Sequence, residues 1–283
     1  MVVPTLAVSA LFAIVSAAVY VYVGLELRKR DVTGDGRLAW QLFVLWWLAL
    51  GGITLVGAVQ SLAGAAGVAD LAIAVTFTYV ALLVLCIALW GLVYYLGYLF
   101  TGKRSLLLPL TIFYGAVYAL LVYFIVVQDP TSVAVGRWSV TLNYAQTVGG
   151  AFYAVIIGAI LLPELLAGIA YGTLYFKVKD RSQRYRIALV SVSTVVWFGS
   201  ALVASAAGAS QSDAWQVASK AIALVASLTI LAAYRPPGFV RRRGIVGVTE
   251  NSGGGAAPEP ATAMAPGPRR GSSPADLASD LPV

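Results

Sequence analysis

Long apolar runs separated by short polar or charged segments are the dominant pattern along this chain. Seven runs reach the length of about 20 residues with which an α-helix crosses a hydrocarbon core of about 30 Å. They lie near residues 3–27, 39–62, 71–100, 106–128, 149–176, 186–208 and 213–234. The pattern predicts an all-α membrane protein, with a bundle of seven transmembrane helices within residues 1–238.

The segment between the fourth and fifth runs has a different pattern. Val133–Val135 and Trp138–Leu142 alternate around Gly136 and Arg137, which is typical of a short β-hairpin. We expect either a hairpin that covers a pocket at this end of the bundle or a plain solvated loop.

Residues 239–283 do not continue the apolar pattern. They are rich in Gly, Ala, Pro and Ser, a composition that cannot bury a core, and they begin with a basic cluster, Arg241, Arg242 and Arg243. We expect a disordered cytosolic tail whose first arginines lie against anionic lipid headgroups.

Composition agrees with a membrane protein. Of the 283 residues, 60% are hydrophobic and 11% are charged, whereas soluble domains carry about 25% charged residues. The net charge of +7 does not indicate nucleic-acid binding, because the basic residues form short clusters between apolar runs and no nucleic-acid motif is present. With no histidine and a single cysteine, Cys86, the sequence predicts no metal site and no cofactor.

The distribution of cations predicts the orientation, because short cytosolic loops accumulate Lys and Arg. Seventeen of the nineteen cationic residues follow the first, third, fifth and seventh apolar runs, whereas only Arg137 lies in the opposite loops and Lys220 lies within the seventh run. This bias predicts a multi-pass protein of the cell membrane, with the N-terminus outside and the C-terminus in the cytosol.

Two charged residues fall deep within the predicted spans, where charges are costly and usually functional. Glu164 lies near the middle of the fifth span, directly after Pro163, which removes a helix hydrogen bond to the Ala159 carbonyl. Lys220 lies in the seventh span. The two either form an ion pair that holds two helices together or contribute to ligand binding, gating or ion transport.

Smaller polar groups occur toward the outer ends of the spans. They are Gln60, Thr76, Thr78, Gln146 and Tyr153. We expect these side chains to line the outer end of one cavity or to form separate interhelical hydrogen bonds.

A basic segment connects the fifth and sixth spans and is the predicted surface for a cytosolic signalling protein or ATPase. Its cations are Lys177, Lys179, Arg181, Arg184 and Arg186.

Four segments resemble the seven-transmembrane sensor region at the N-terminus of many archaeal and bacterial histidine kinases. They are Leu45–Trp47, the run Tyr98–Arg104, the hairpin-like loop around Trp138, and Arg184–Arg186. The resemblance implies reception of an external or membrane-borne signal, such as a small molecule or lipid, although the kinase output module is replaced here by the predicted tail.

The sequence therefore predicts a non-enzymatic sensor or receptor-like module in the lipid bilayer. The alternative is a transport or translocation subunit that forms a pore and works with a separate ATPase. A retinal-binding protein is a distant third, because the third span, residues 71–100, has no Asp or Glu to serve as a counterion for a Schiff base on Lys220. An intramembrane enzyme is disfavoured, because no paired carboxylates or base-activated nucleophile can be assembled.

Overall fold

The structure of the chain is a computed structural model that describes residues 4–30, 32, 34–206 and 212–237. The predicted tail, with Arg241, Arg242 and Arg243, lies outside these residues. Within them, seven helices are long and apolar enough to span a membrane, so the architecture is that of an all-α multi-pass membrane protein.

The helices and strands follow one another in simple order. The helices are α1 (Pro4–Arg28), α2 (Arg37–Ala65), α3 (Leu71–Thr101), α4 (Leu107–Gln128), α5 (Gly150–Lys177), α6 (Arg181–Ala206) and α7 (Asp213–Tyr234). Two strands, β1 (Pro130–Val135) and β2 (Val140–Tyr144), lie between α4 and α5. α6 begins five residues before the predicted start at 186, because an arginine-rich first turn continues the helix beyond its apolar run.

Glycines allow α1, α2 and α3 to approach one another closely. A Cβ atom on Gly24 would lie 2.7 Å from the Leu48 side chain, and one on Gly51 would lie 2.7 Å from Val21. Small residues at helix contacts are the common means of close packing in membranes, where lipid provides no hydrophobic driving force between helices.

Aromatic side chains fill the core between α1, α2 and α3. The rings of Phe43 and Tyr95 stack with centroids 4.3 Å apart, and Trp46 and Trp47 are also 4.3 Å apart. Tyr20 stacks on Trp197 of α6 at 5.7 Å. The last of these contacts joins α6 to α1.

α5 is not a regular α-helix. Its middle, Ile156–Leu161, is π-helical, and the Leu162 amide donates to the Ile157 carbonyl, five residues earlier. Pro163 follows directly and has no amide hydrogen for the Ala159 carbonyl. The predicted loosening of the helix at Pro163 is therefore present, in the form of a π segment rather than a simple kink.

The C-terminal half of α5 packs against α6 through small residues. The Ser191 hydroxyl donates to the Gly168 carbonyl at 2.8 Å, and a Cβ on Gly168 would lie 2.9 Å from Thr194. α6 is joined in turn to α7, since the Ser193 hydroxyl donates to the Ala226 carbonyl at 2.8 Å. The three helices are thus connected by both packing and hydrogen bonds.

The predicted hairpin is confirmed. β1 and β2 pair in antiparallel register, with Val135 opposite Val140 and a register shift between Pro130 and Ser132. The second strand begins at Val140 rather than at Trp138. The Thr5 hydroxyl of α1 donates to the Arg137 carbonyl in the hairpin turn, so the hairpin is attached to the first helix.

Candidate functional site

A cavity of about 550 Å³ lies beneath the hairpin, at the end of the bundle that we call the hairpin end. Its walls come from α2, α3, α4, β2 and the start of α5. The lining residues are Gln60, Thr78, Gln128, Val140, Thr141, Leu142, Asn143, Tyr144, Thr147, Val148, Gly149, Phe152 and Tyr153. Its volume falls within the range of about 300–1,000 Å³ that is usual for small-molecule sites.

The lining of this hairpin-end cavity mixes apolar and polar side chains and carries no charged side chain. It offers amides from Gln60, Gln128 and Asn143 together with hydroxyl groups and aromatic faces. Burial, and secondarily the nearby Tyr153 phenol, raise the pKa of Tyr144. The Tyr144 phenol thus keeps its proton, and with it a hydrogen-bond donor, to a higher pH than a solvated tyrosine does.

Three of the five polar residues singled out from the sequence lie together in this cavity: Gln60, Thr78 and Tyr153. Thr76 and Gln146 are not part of the lining. The hydroxyls of Thr76 and Thr78 each donate to the carbonyl four residues earlier in α3, at 2.8 and 2.9 Å. Sequence reasoning missed the contributions of Gln128, Asn143, Tyr144 and Thr147, because these depend on how the hairpin folds back over the helices.

The cavity wall is continuous with the irregular part of α5. Phe152 and Tyr153 line the cavity, and the π segment begins three residues after Tyr153, at Ile156. π-Helical turns are rare and frequently occur at functional sites. The cavity therefore adjoins the least regular turn of α5.

Glu164 lies on the other side of that turn and is completely buried. The indole nitrogen of Trp46 lies close to the carboxyl group, but neither carboxyl oxygen has a partner in good hydrogen-bond geometry. Tyr20 and Tyr114 are close enough to interact with it electrostatically. Helices α1, α2 and α4 therefore each contribute a side chain to the surroundings of this carboxyl group on α5.

The proposed ion pair between Glu164 and Lys220 is not formed. Among the described residues, no cation lies within 4 Å of the Glu164 carboxyl, whereas Lys29 and Glu26 do pair, at 2.8 Å, on the surface. Lys220 is half-buried on α7, and neither it nor Glu164 lines the hairpin-end cavity. The two charged residues thus have separate surroundings.

The opposite end of the bundle, here called the basic end, gathers the cationic segments. The Lys177 ammonium lies 5.6 Å from the Phe100 ring at the end of α3, and the Arg184 guanidinium lies 4.3 Å from the Tyr175 ring. Of the five predicted partner-binding cations, Lys177, Lys179 and Arg181 are exposed, whereas Arg184 and Arg186 are half-buried. Only the first three are thus fully exposed at this surface.

Comparison with known proteins gives no match for this chain among protein-family models, curated proteins or solved structures.

Proposed function

We propose that this chain is a non-enzymatic membrane sensor whose external ligand binds in the hairpin-end cavity and whose output surface is the basic end. The observation that carries the proposal is that one helix, α5, contributes residues to both the cavity and the basic end. Tyr153 at its beginning lines the cavity, and Lys177 at its end belongs to the exposed basic surface.

The chemistry of the lining defines the kind of ligand. Amide, hydroxyl and phenol groups donate and accept hydrogen bonds, aromatic faces support an apolar ring or chain, and no charged group balances an ionic ligand. We therefore propose a neutral small molecule rich in hydroxyl or amide groups.

The π segment is the point in α5 at which the two halves of the helix can move relative to each other. Ligand contact at Phe152 or Tyr153 changes the hydrogen-bond pattern of Ile156–Leu161, and the basic-end half of α5 then shifts together with α6, to which it is joined by the Ser191–Gly168 hydrogen bond. Such a shift requires that the ligand bind the two arrangements with different affinities. Glu164, next to the π segment, changes its surroundings in the same step.

The test uses a large side chain to fill the cavity in place of a ligand. Thr147→Trp places an indole in the cavity, whereas Ala145→Trp adds the same group to a neighbouring exposed position outside the lining. Spin labels on Lys103→Cys and Lys179→Cys report the separation of α3 from the α5–α6 turn, in full-length protein in lipid nanodiscs. Native Cys86 is only 3% exposed and stays unlabelled.

We expect Thr147→Trp to shift the distance between the labels by about 1–2 Å, the size of common helix shifts, and Ala145→Trp to leave it unchanged. Equal distances in both variants and the parent would reject coupling between the cavity and the basic end. Equal shifts in both variants would show a general effect of the hairpin rather than of cavity occupancy.

A further inference from the structure

A second cavity, of about 450 Å³, opens at the basic end between α1 and α2. Arg28, the last residue of α1, and Arg30, two residues beyond it, lie on one wall, and Arg37 and Gln41, at the start of α2, lie on the other. Arg28 and Arg37 are exposed, and Arg30 is half-buried. This arginine cavity is separate from the hairpin-end cavity, and its Arg30 lies near Arg186 of the basic segment between α5 and α6.

The α2 wall of the arginine cavity changes from charged to apolar along the helix. Arg37 and Gln41 are followed on the same face by Val44, Leu45 and Leu48. From Arg37 to Leu48 the helix rises about 16 Å, at 1.5 Å per residue, which reaches from the headgroup region well into the hydrocarbon core. A soluble anion would occupy only the charged mouth, whereas a phospholipid matches both parts of the wall.

The charge balance also favours an anion. Residues 28–37 carry four cationic and two acidic side chains, a net charge of +2. Burial, and secondarily the nearby Arg186 guanidinium, lower the pKa of Arg30. A negatively charged headgroup in the cavity offsets this repulsion between cations and adds charge-assisted hydrogen bonds.

We propose that the arginine cavity binds an anionic phospholipid, with its phosphate between Arg28 and Arg37 and one acyl chain along Val44, Leu45 and Leu48. Basic pockets between transmembrane helices are known binding places for anionic headgroups. The proposal is independent of the sensor function, since it involves a different cavity and different residues.

Native mass spectrometry of the full-length protein, released from a neutral detergent, tests the proposal. The probes are phosphatidylglycerol, phosphatidylcholine with the same acyl chains, soluble glycerol phosphate and inorganic phosphate. The test variant is Arg28→Gln/Arg37→Gln. The matched control is Lys103→Gln/Lys179→Gln, which removes two exposed cations at the same end but outside the cavity.

We expect phosphatidylglycerol to bind more tightly than the other three probes. The cavity variant should bind it roughly tenfold more weakly, since two cations near an anionic headgroup are lost, and the control should stay within about twofold of the parent. Because Arg28 and Arg37 are exposed, we expect the melting temperature without added lipid to be equal in all three proteins.

Three results would overturn the proposal. Equal binding of phosphatidylcholine would remove the requirement for negative charge. Equal binding of inorganic phosphate or glycerol phosphate would show a site for a free anion rather than a lipid. An equal loss in the control variant would show that the attraction comes from the charge of the whole basic end.

Discussion

The carbonyl oxygen of Leu42 on α2 lies 2.7 Å from the position that a Cβ atom on Gly91 of α3 would occupy. The obstacle is a backbone atom, which cannot rotate away as a side chain can. The packing of α2 against α3 therefore depends on the absence of a side chain at this position, next to the aromatic core formed by Phe43 and Tyr95.

Gly91→Ala should lower the free energy of unfolding by about 1–3 kcal/mol, the usual cost of overpacking a close contact. The effect is measured by thermal unfolding in detergent, which is monitored through the reaction of Cys86 with a maleimide as this buried thiol becomes exposed. Gly57→Ala is the matched control on α2, because a Cβ there meets nothing within 4 Å. Equal destabilisation by both substitutions would contradict the importance of the Leu42–Gly91 approach.

A double-mutant cycle tests the separation of Glu164 from Lys220. Glu164→Gln keeps the shape of the side chain while removing a buried ionisable group that has no hydrogen-bond partner, so we expect stability to be equal or higher. When Glu164→Gln is combined with Lys220→Met, the coupling free energy between the two substitutions should be within about 0.5 kcal/mol of zero, as for independent sites. A coupling above 1 kcal/mol, on the order expected for interacting residues, would mean that the two groups act on each other after all.

Cysteine labelling on intact cells tests the proposed orientation. Ser132 in the hairpin and Lys103 at the basic end are both exposed, whereas Cys86 is buried. With a membrane-impermeant maleimide, Ser132→Cys should react at once and Lys103→Cys only after permeabilisation. The parent chain provides the unlabelled background, and the reverse order of labelling would place the N-terminus in the cytosol.

The phenol of Tyr144, at the end of β2, should contribute to destabilisation of the folded chain at alkaline pH. The folded state keeps this phenol protonated at pH values where the unfolded state, with an ordinary pKa near about 10, loses its proton. Stability therefore declines as pH rises through about 10. Tyr144→Phe should reduce this decline, as measured by melting temperature against pH, and Tyr123→Phe on the exposed face of α4 should not.

The hydrophobic pattern was sufficient to predict the seven helices, because run length matches the thickness of the hydrocarbon core, and the hairpin, because alternation is typical of a strand. The sequence also predicted that Gln60, Thr78 and Tyr153 could line one cavity, since polar residues at the same depth of neighbouring helices tend to meet. The hydrophobic pattern could not predict whether the Glu164 and Lys220 side chains are in contact. Sequence gives the depth of a residue in a span but not the rotation of one helix relative to another.

The same limit explains the features that sequence reasoning missed. The arginine cavity depends on how α1 and α2 pack, although its cations were visible as a cluster. The position of Trp46 beside Glu164 depends on the contact of α2 with α5. Pro163 indicated an irregular helix, but the number of residues in the irregular turn is set by the packing on both sides of it.

The π segment of α5 also affects how this helix tolerates a change of length. A turn closed over five residues instead of four holds one residue more than an α-helical turn, so removing one residue there restores a regular helix. A deletion from a regular α-helical turn between Tyr153 and Glu164 would rotate these two residues relative to each other by about 100°, so that one of them would lose its neighbours. At Gly158, which is exposed and has no neighbour for a Cβ within 4 Å, a deletion instead leaves the buried faces of both halves in register. The Ile156–Leu161 turn is thus the place in α5 where the helix can lose one residue while Tyr153 and Glu164 keep their neighbours.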